Sequence, residues 1–299
     1  MPESSVCVEL FLRWLTDTRG RQLNVQDATD SGAVAADGSG RLAIDVRPLI
    51  PSDNPAWLAD RDKLEDQLSA TVSAPIALWL PAGADLPAGE PDTSDFIDHI
   101  RKAATNLGSH ERSHVPLPIH LLLRKSADSG NVVSVTGGLN PHWARFTERV
   151  SGTYDLDSTR LHRLPESDDH LEQLLDGIVE RTKTLEIGNV ARIETIDAWT
   201  VQRLSGSEPV AVAGIPAAAA QDMGLAVRRN LRRILAEAAP TLRDRPTNQR
   251  ALVLLGHYPR IEQEGATTAM RGYDPTLYAG LDYVCLVADG LVKPLIQPP

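Results

Sequence analysis

Residues 41–50, with the sequence RLAIDVRPLI, decide the fold that this chain predicts. Apolar residues at positions 42, 44 and 46 alternate with positions 43, 45 and 47, of which the last two are Asp45 and Arg47. Side chains two residues apart lie on the same face of a strand, so this stretch predicts a strand with one apolar face and one polar face. Pro48 and Pro51 then end the strand early or place it at a sheet edge.

The residues before this strand predict a helix and the first arm of a hairpin. Residues 6–16 place apolar side chains at the i, i+3, i+4 and i+7 spacing of an amphipathic helix, and Gly20 ends it. Residues 22–26 predict a short strand, and the turn-rich stretch 27–40 leads from it into the strand quoted above. The connection of this hairpin therefore carries Asp30.

The rest of the chain alternates predicted helices and strands. Residues 55–71 predict a helix, and the continuous apolar run at 76–80 predicts a strand buried on both faces. Further helices are predicted at 95–107, at 168–186 and around 227–238, where Pro240 ends the last one, and further strands at 117–123, 131–136, two within 190–215, 250–256 and 282–287. Interleaved helices and strands favour an α/β fold around a mixed sheet, in a single domain over residues 1–299.

The composition predicts a globular protein with an acidic surface. The chain has 299 residues, of which 42% are hydrophobic and 23% charged, and a formal net charge of −10. This charge repels nucleic acid and anionic membranes, so any contact with nucleic acid requires a local basic surface. The helix around 227–238 offers such a surface, while a solvated helix face is the alternative. Its arginines are Arg228, Arg229, Arg232 and Arg233.

The sequence carries no membrane or disulfide signature. No apolar stretch reaches the length of a membrane span, and the first residues, Met-Pro-Glu-Ser-Ser, lack the basic and apolar regions of a signal peptide. We therefore expect a cytoplasmic protein with no membrane partner. Cys7 and Cys285 lie in apolar runs, which predicts two small core residues rather than a disulfide or a metal site.

The hairpin is the first place where side chains could combine in chemistry. Asp45 and Arg47 share the polar face of their strand, and Asp30 or Asp27 approaches that face if the preceding turn folds back. Glu9, on the first helix, would complete an acidic cluster. Carboxylates that converge beside one cationic side chain form an arrangement that holds a magnesium ion. The ion then polarises a phosphate and activates a water molecule.

The order of these elements resembles a known superfamily. A helix, a hairpin, a strand with Asp45-x-Arg47, a helix and a buried strand follow one another over residues 6–80, as in the PD-(D/E)XK nuclease-like core. Residues 81–299 would extend this restriction-endonuclease-like core within the same domain. Three later segments are similar to small bacterial proteins of that superfamily: Glu180-Arg181-Thr182-Lys183, LVLLGHY at 252–258 and GLDYVCLVADGLVKPL at 280–295.

This resemblance implies a magnesium-dependent phosphodiesterase (a nuclease hydrolase) that acts on nucleic acid, or a relative that has lost catalysis. It implies that Asp30 is the first metal ligand and Asp45 the second, with Asp27 competing for the role of Asp30. It also implies that Arg47 stands where the motif has lysine and that Glu9 is the acid of the helix. Arginine stays charged at all relevant pH values and cannot exchange a proton with water, which favours the alternative of a non-catalytic binding or scaffold protein with this fold.

A second constellation is the string His110-Glu111-Arg112-Ser113-His114, which matches H-E-x-x-H. On a helix the two histidines would lie one turn apart and ligate zinc, with Glu111 as the general base of a peptidase. Gly108 ends the preceding helix, and Pro116 leaves barely one turn for a new helix, so a polar loop is the alternative.

The strand end after residue 256 is a weaker candidate. His257 and Tyr258 follow the predicted strand directly, and α/β folds often place functional groups at such an end. A loop histidine bonded by its surroundings is the alternative reading of His257.

Overall fold

The structure, a computed structural model, describes residues 2–87, 89, 91–165, 167–206, 210–220, 223–258 and 261–298. The chain forms two compact units: unit 1 is Met1–Val115 with Thr200–Pro299, and unit 2 is Pro116–Trp199. Two compact units can still fold as one domain, so the single domain over residues 1–299 stays a prediction.

Helices and strands interleave along the described chain, which confirms an α/β fold. The helices are α1 (Pro2–Arg19), α2 (Pro55–Thr71), α3 (Asp92–Thr105), α4 (Asp168–Thr182), α5 (Ala217–Ala220), α6 (Met223–Arg243) and α7 (Ala266–Met270). The strands are β1 (Asn24–Thr29), β2 (Gly32–Asp37), β3 (Gly40–Pro48), β4 (Ile76–Trp79), β5 (Arg112–Ala127), β6 (Asn131–Gly137), β7 (Gly152–Ser158), β8 (Val190–Arg203), β9 (Val210–Ala213), β10 (Gln249–Leu255), β11 (Tyr283–Ala288) and β12 (Leu291–Ile296). They build two mixed sheets.

The first sheet lies wholly in unit 1 and has the strand order β1-β2-β3-β10-β11-β12. Strands β1, β2 and β3 form an antiparallel meander. Strand β3 pairs in parallel with β10, and β10 pairs in parallel with β11. Strand β12 returns antiparallel along β11. The sheet therefore has three parallel strands at its centre, and their carboxyl ends meet at one edge.

Helix α1 covers one face of this sheet. Phe11 and Leu15 of α1 are fully buried in a core cluster with Leu42, Ile44 and Val46 of β3. Alternation along β3 directs these three side chains to the same face. The predicted apolar stripe of the first helix and the predicted apolar face of the strand thus pack against each other.

Helix α6 covers the opposite face. Leu231 and Leu235 of α6 are fully buried with Leu252 and Leu254 of β10 and with Ala43 of β3. Because residues 43, 45 and 47 share a face, Asp45 and Arg47 lie on the side of the sheet that α6 covers.

The prediction that Pro240 ends this helix is wrong, since α6 continues to Arg243. Proline removes one backbone hydrogen bond but does not prevent a final turn whose other groups are satisfied. Leu242 is fully buried in the core, and the Arg250 side chain donates to the carbonyl oxygens of Leu242 and Arg243 at 2.9 and 3.2 Å.

Helix α2 spans the predicted residues 55–71. The Asn54 side chain accepts hydrogen bonds from the backbone N–H groups of Ala56 and Trp57, both at 3.1 Å, and Pro55 occupies the first helical position. An asparagine cap followed by proline is a strong helix start, which explains why the boundary could be predicted from the sequence.

The finer prediction, a nuclease-like core closed within residues 6–80, is not confirmed. Strand β4 pairs in parallel with β9 and antiparallel with the Thr200–Arg203 end of β8, in the second sheet. The position beside β3 is taken by β10, whose residues lie far beyond residue 80. Both β4 and β10 are apolar runs buried on both faces, and the hydrophobic pattern does not tell which of them pairs with β3.

Unit 2 has its own core. Strand β7 pairs in parallel with β6 and antiparallel with β5. Leu171, Leu175 and Ile178 of α4 are buried with Leu123 and Val133 of these strands. The predicted helix at 168–186 thus forms, with Thr182 as its last residue.

Two predictions from composition can be compared with the structure. Cys7 and Cys285 are free and buried in the same core cluster, which confirms them as small core residues. None of the helices within the described ranges combines the length and the apolar character that crossing a membrane requires.

The β2–β3 contact yields a test of the first sheet. Gly32 lies opposite Asp45, and a Cβ added to Gly32 would stand 2.1 Å from the carbonyl oxygen of Ile44. Gly32→Ala must therefore part the two strands, and we expect the free energy of unfolding in urea to fall by about 2 kcal/mol or more. Gly38→Ala is the control, because no atom lies within 4 Å of its added Cβ. Equal losses in both variants would contradict the β2–β3 register.

Candidate functional site

The Asp45–Arg47 pair stands at the centre of the predicted site. Asp45 is 3% exposed, between β2 and β10, and its Oδ2 accepts a hydrogen bond from Arg47 Nε at 2.9 Å. The Arg47 side chain is 42% exposed, so the pair joins a buried carboxylate to a cation that reaches solvent. A buried carboxylate costs several kcal/mol of desolvation unless a partner offsets it, and Arg47 is that partner.

The hairpin does fold back toward Asp45, as predicted. Gly32 is the register partner of Asp45, and the carbonyl oxygen of Ser31 accepts a hydrogen bond from Val46 N at 2.7 Å. The turn that carries Asp30 therefore adjoins Asp45, and the Asp30 residue is exposed to solvent. Asp27 lies one strand further out, on β1, and is also exposed. Of the two competing acids, the register favours Asp30.

Glu9 is not brought to this cluster. It lies on α1, which packs on the sheet face opposite Asp45. Its Oε1 accepts from Ser205 N at 2.6 Å and from Ser205 Oγ at 2.9 Å, and its Oε2 accepts from Gly206 N at 3.1 Å. His110 Nδ1 stands 3.5 Å from the same carboxylate. Glu9 thus fixes the turn after β8, a role that the sequence pattern did not indicate.

The structure brings only some of the predicted magnesium ligands together. Within the described ranges, no group of three or more His, Cys, Asp or Glu side chains is arranged to hold a metal ion. Asp45 already bonds Arg47, Asp30 is in an exposed turn, and Glu9 belongs to the other face. The magnesium ion stays a prediction, with Asp30 and Asp45 as its proposed ligands.

The H-E-x-x-H string does not lie on a helix. His110 has a positive φ of 64° in a turn, and Arg112 begins strand β5. Glu111 accepts from Gly108 N at 2.7 Å and so closes this turn. The spacing of one helical turn that zinc ligation by His110 and His114 requires is therefore not formed.

The remaining residues of the string hold the turn after β11. Arg112 Nη1 donates to Asp289 Oδ2 at 2.9 Å, and Thr200 Oγ1 donates to Asp289 Oδ1 at 2.5 Å. His114 Nδ1 lies 3.2 Å from Thr200 Oγ1. These contacts give the string a structural role that its spacing did not predict.

The four arginines of α6 divide into two groups. Arg228 donates to the carbonyl oxygens of Ala269 and Arg271 and stacks 4.8 Å from the Tyr273 ring centroid, which ties the segment after α7 to α6. Arg233 pairs with Glu237 one turn along the helix at 3.1 Å. Arg229 and Arg232 are exposed, and neither guanidinium makes a hydrogen bond or ion pair with another described residue. The free positive charge of this face is therefore smaller than four arginines suggest.

Unbonded polar atoms concentrate at the carboxyl edge of the parallel strands. Ser52 Oγ and His257 Nδ1, in the segments directly after β3 and β10, are buried and have no hydrogen-bond partner among the described residues, and Tyr258 OH has only the Gly265 backbone near it. Leu49 N donates to Leu255 O at 2.8 Å, which joins the two segments where they leave the sheet. Because buried polar groups are normally bonded, this edge holds unused hydrogen-bonding capacity.

Burial sets the protonation of two residues at this edge. Burial alone lowers the pKa of His257 to about 4, so its imidazole is neutral at pH 7. Burial also raises the pKa of Tyr258 to about 12. The position of both residues after a strand was visible in the sequence. The lack of hydrogen-bond partners at His257 and Ser52 depends on tertiary packing that the sequence pattern does not report.

A buried ion pair between α1 and α2, with a second acid beside it, was missed by the sequence reasoning. Glu3 Oε1 bonds Arg61 Nη1 at 2.6 Å, and both residues are buried. Glu65, one turn after Arg61, accepts from Val212 N at 2.7 Å. Burial raises the pKa of Glu65 to about 7, against the lowering effect of the Val212 bond and of Arg61. Charges spread over a predicted helix indicate a solvated face, so the pattern of α2 did not single them out.

Comparisons with known proteins add no relative to these observations. No protein-family model, no curated protein and no solved structure matches this chain.

The buried histidine predicts a loss of stability in acid. The unfolded chain takes up a proton at His257 below its ordinary pKa of 6.5, whereas the folded protein takes it up only near 4. Stability should therefore fall as the pH falls through this window, by about 2 kcal/mol between about pH 7.5 and pH 5. His257→Phe should remove most of this dependence in urea titrations, and His120→Phe, at an exposed histidine, should not. An unchanged slope in His257→Phe would contradict the assignment.

Glu65 predicts the opposite dependence. Its pKa is about 7 when folded and 4.5 in the reference state, so the folded protein binds an extra proton between these values. Stability from this group therefore rises as the pH falls from 7 toward 4.5. Glu65→Gln keeps an oxygen for Val212 N and should stabilise the protein at about pH 8 by on the order of 1 kcal/mol, with the gain vanishing near pH 5. Glu237→Gln, on the exposed face of α6, is the matched control and should show no such gain.

Proposed function

We propose that this chain is a relative of the PD-(D/E)XK nuclease-like proteins that has lost catalysis and binds nucleic acid without cleaving it. The observation that carries the loss of catalysis is the bond from Arg47 Nε to Asp45 Oδ2 at 2.9 Å, made by a carboxylate that is 3% exposed. A metal ion at Asp45 would place a second positive charge beside the Arg47 guanidinium in a largely buried environment, where like charges repel strongly.

The arrangement of the first sheet supports kinship with that superfamily. A helix, a hairpin and a strand follow one another there as α1, β1–β2 and β3, whereas α6 and β10 stand beside β3 in place of the predicted helix at 55–71 and strand at 76–80. Residues 49–222 then stand as an insertion between β3 and α6. The Asp45-x-Arg47 pair keeps its predicted place on the third strand of this order.

The face of α6 supports the binding of nucleic acid. Arg229 and Arg232 are exposed on a helix that covers the same side of the sheet as Asp45 and Arg47. Asn230 Nδ2 donates to the carbonyl oxygen of Leu49 at 3.2 Å, which holds this part of α6 beside the end of β3. Arg229 and Arg232 thus offer two exposed guanidinium groups on the helix that covers this side of the sheet, and guanidinium groups bind phosphate in a fork geometry.

The overall charge limits how this surface would act. At a net charge of −10, the protein as a whole repels a polyanion, so the contact must be local and sensitive to salt. Non-specific binding through a few phosphate contacts has dissociation constants of roughly 10⁻⁴–10⁻⁶ M at physiological salt. We therefore expect weak binding that depends on a small number of arginines.

Cleavage of plasmid and single-stranded DNA in magnesium or manganese tests the loss of catalysis. We expect no activity above that of Asp45→Asn, which keeps an oxygen acceptor for Arg47. The second candidate function, a metal-dependent phosphodiesterase, is favoured by the register that sets the Asp30 turn beside Asp45. Cleavage that requires the metal and disappears in both Asp45→Asn and Asp30→Asn would establish this second candidate instead.

Binding of a fluorescent oligonucleotide, measured over a series of salt concentrations, tests the surface of α6. The double variant Arg229→Gln/Arg232→Gln should weaken binding about tenfold and lower the salt slope by up to about 2, one for each lost phosphate contact. The matched control is Arg13→Gln/Arg101→Gln, which removes two exposed arginines from α1 and α3. The side chains of Arg13 and Arg101 are 44% and 43% exposed. Equal weakening in both double variants, or no binding at low salt, would refute the proposal.

A further inference from the structure

A cavity of about 370 Å³ opens at the amino-terminal ends of β3 and β10, away from the sites described above. Its walls come from the end of α1, the β2–β3 turn and the residues that enter β10. The lining residues are Arg21, Ser39, Gly40, Arg41, Asn248 and Gln249. Every one of them is polar or glycine, so the cavity wall is mostly polar.

The side-chain acceptors at these walls each already accept a hydrogen bond from the protein. Asn248 Oδ1 accepts from Arg41 N at 2.9 Å, and Gln249 Oε1 accepts from Arg21 Nη1. The nearby carboxylate of Asp37 accepts from Arg21 Nε and Nη2 at 2.9 and 2.8 Å and from Ser39 N at 2.8 Å. The hydrogen bonds from Ser39 and Arg21 hold the pKa of Asp37 well below its usual range. This carboxylate therefore stays ionised and bonded to these two residues.

The donors of the same walls are in excess. An amide whose oxygen accepts a bond still carries an NH₂ group with two donors, which applies to both Asn248 and Gln249. The Arg41 guanidinium contributes five more and binds no other described residue. Arg21 and Arg41 against Asp37 leave one net positive charge at the cavity.

A glycine keeps this arrangement tight. A Cβ on Gly40 would stand 2.7 Å from Asn248 Oδ1, so a larger residue there would push the amide out of position. The Asn248 side chain lies against the start of β3, and Asn248 is one of the residues that line the cavity. The donors are thus fixed in place by the fold rather than gathered by a ligand.

We propose that this cavity binds a phosphate group, carried by a small phosphorylated molecule or by a nucleic-acid backbone. A site with spare N–H donors, side-chain acceptors that already bind protein donors and a net positive charge fits an anion that only accepts hydrogen bonds. Its volume lies in the range of roughly 300–1,000 Å³ that holds small organic ligands, so a phosphate enters with part of the molecule that carries it.

This inference goes beyond the proposed function and does not rest on it. The cavity lies at the start of β3, whereas Arg47 and the arginine face of α6 lie toward its end. The two sites can therefore fail separately. Arg229→Gln/Arg232→Gln should leave phosphate binding at the cavity unchanged, and cavity variants test the cavity alone.

Calorimetric titration of the full chain with pyrophosphate, at constant ionic strength set with sodium chloride, tests the proposal. We expect a dissociation constant below about 1 mM for the unmodified protein. Arg41→Gln removes a guanidinium that makes no bond in the fold, and it should weaken binding at least about tenfold. Asn248→Asp keeps the acceptor for Arg41 N but replaces the NH₂ donors by a negative charge, and it should abolish binding. Arg101→Gln, the matched loss of charge on α3, should change the constant by less than about twofold.

The outcomes separate cleanly. No binding by the unmodified protein, or binding that persists in both Arg41→Gln and Asn248→Asp, would overturn the proposal. Thermal unfolding of each variant shows whether it is folded. If Asn248→Asp does not fold, the affinity of Arg41→Gln for pyrophosphate alone tests the proposal. Displacement of pyrophosphate by an oligonucleotide would identify a nucleic-acid backbone as the phosphate source, and the absence of displacement would identify a small phosphorylated molecule.

Discussion

Strand β3 pairs with β10 from Leu42 opposite Gln249 to Pro48 opposite Leu255, although the two strands are more than 200 residues apart in the chain. This parallel ladder places β3 inside the sheet and gives both of its faces a helix to pack against. It also buries Asp45, which requires Arg47 as its partner. The ends of the same ladder form the two places where polar groups gather, the cavity before Arg41 and the unbonded atoms after Leu255.

Local features of the fold could be predicted from the sequence because they depend on nearby residues. The period of 3.6 in α1, the cap and proline of α2 and the alternation in β3 all report which face is apolar. Pairing between distant strands leaves no such local signal. Strand β2 was hidden in a stretch rich in turn residues, and β4 could not be distinguished from β10 as the neighbour of β3.

The candidate site was predictable in part for the same reason. The shared face of Asp45 and Arg47 follows from their spacing, and the approach of the Asp30 turn follows from the hairpin. The location of Glu9 depends on which face of the sheet α1 covers, and spacing does not contain that information. Neither the commitment of Arg228 to Tyr273 nor the donors around Arg41 could be read from charge counts, because both depend on which acceptors the fold has already used.

The distance along the chain between β3 and β10 also has a consequence for synthesis. At about 5–20 residues per second, on the order of 10–40 s pass between the appearance of β3 and that of β10. During this interval the meander of β1, β2 and β3 ends in an open edge, and the part of the apolar face of α1 that will pack on β10 and β11 has no partner. Unit 2 is one continuous segment, Pro116–Trp199, and all of it leaves the ribosome before β10 does. The first sheet is therefore the last part of unit 1 that the nascent chain can complete, and its open edge persists until β10 emerges.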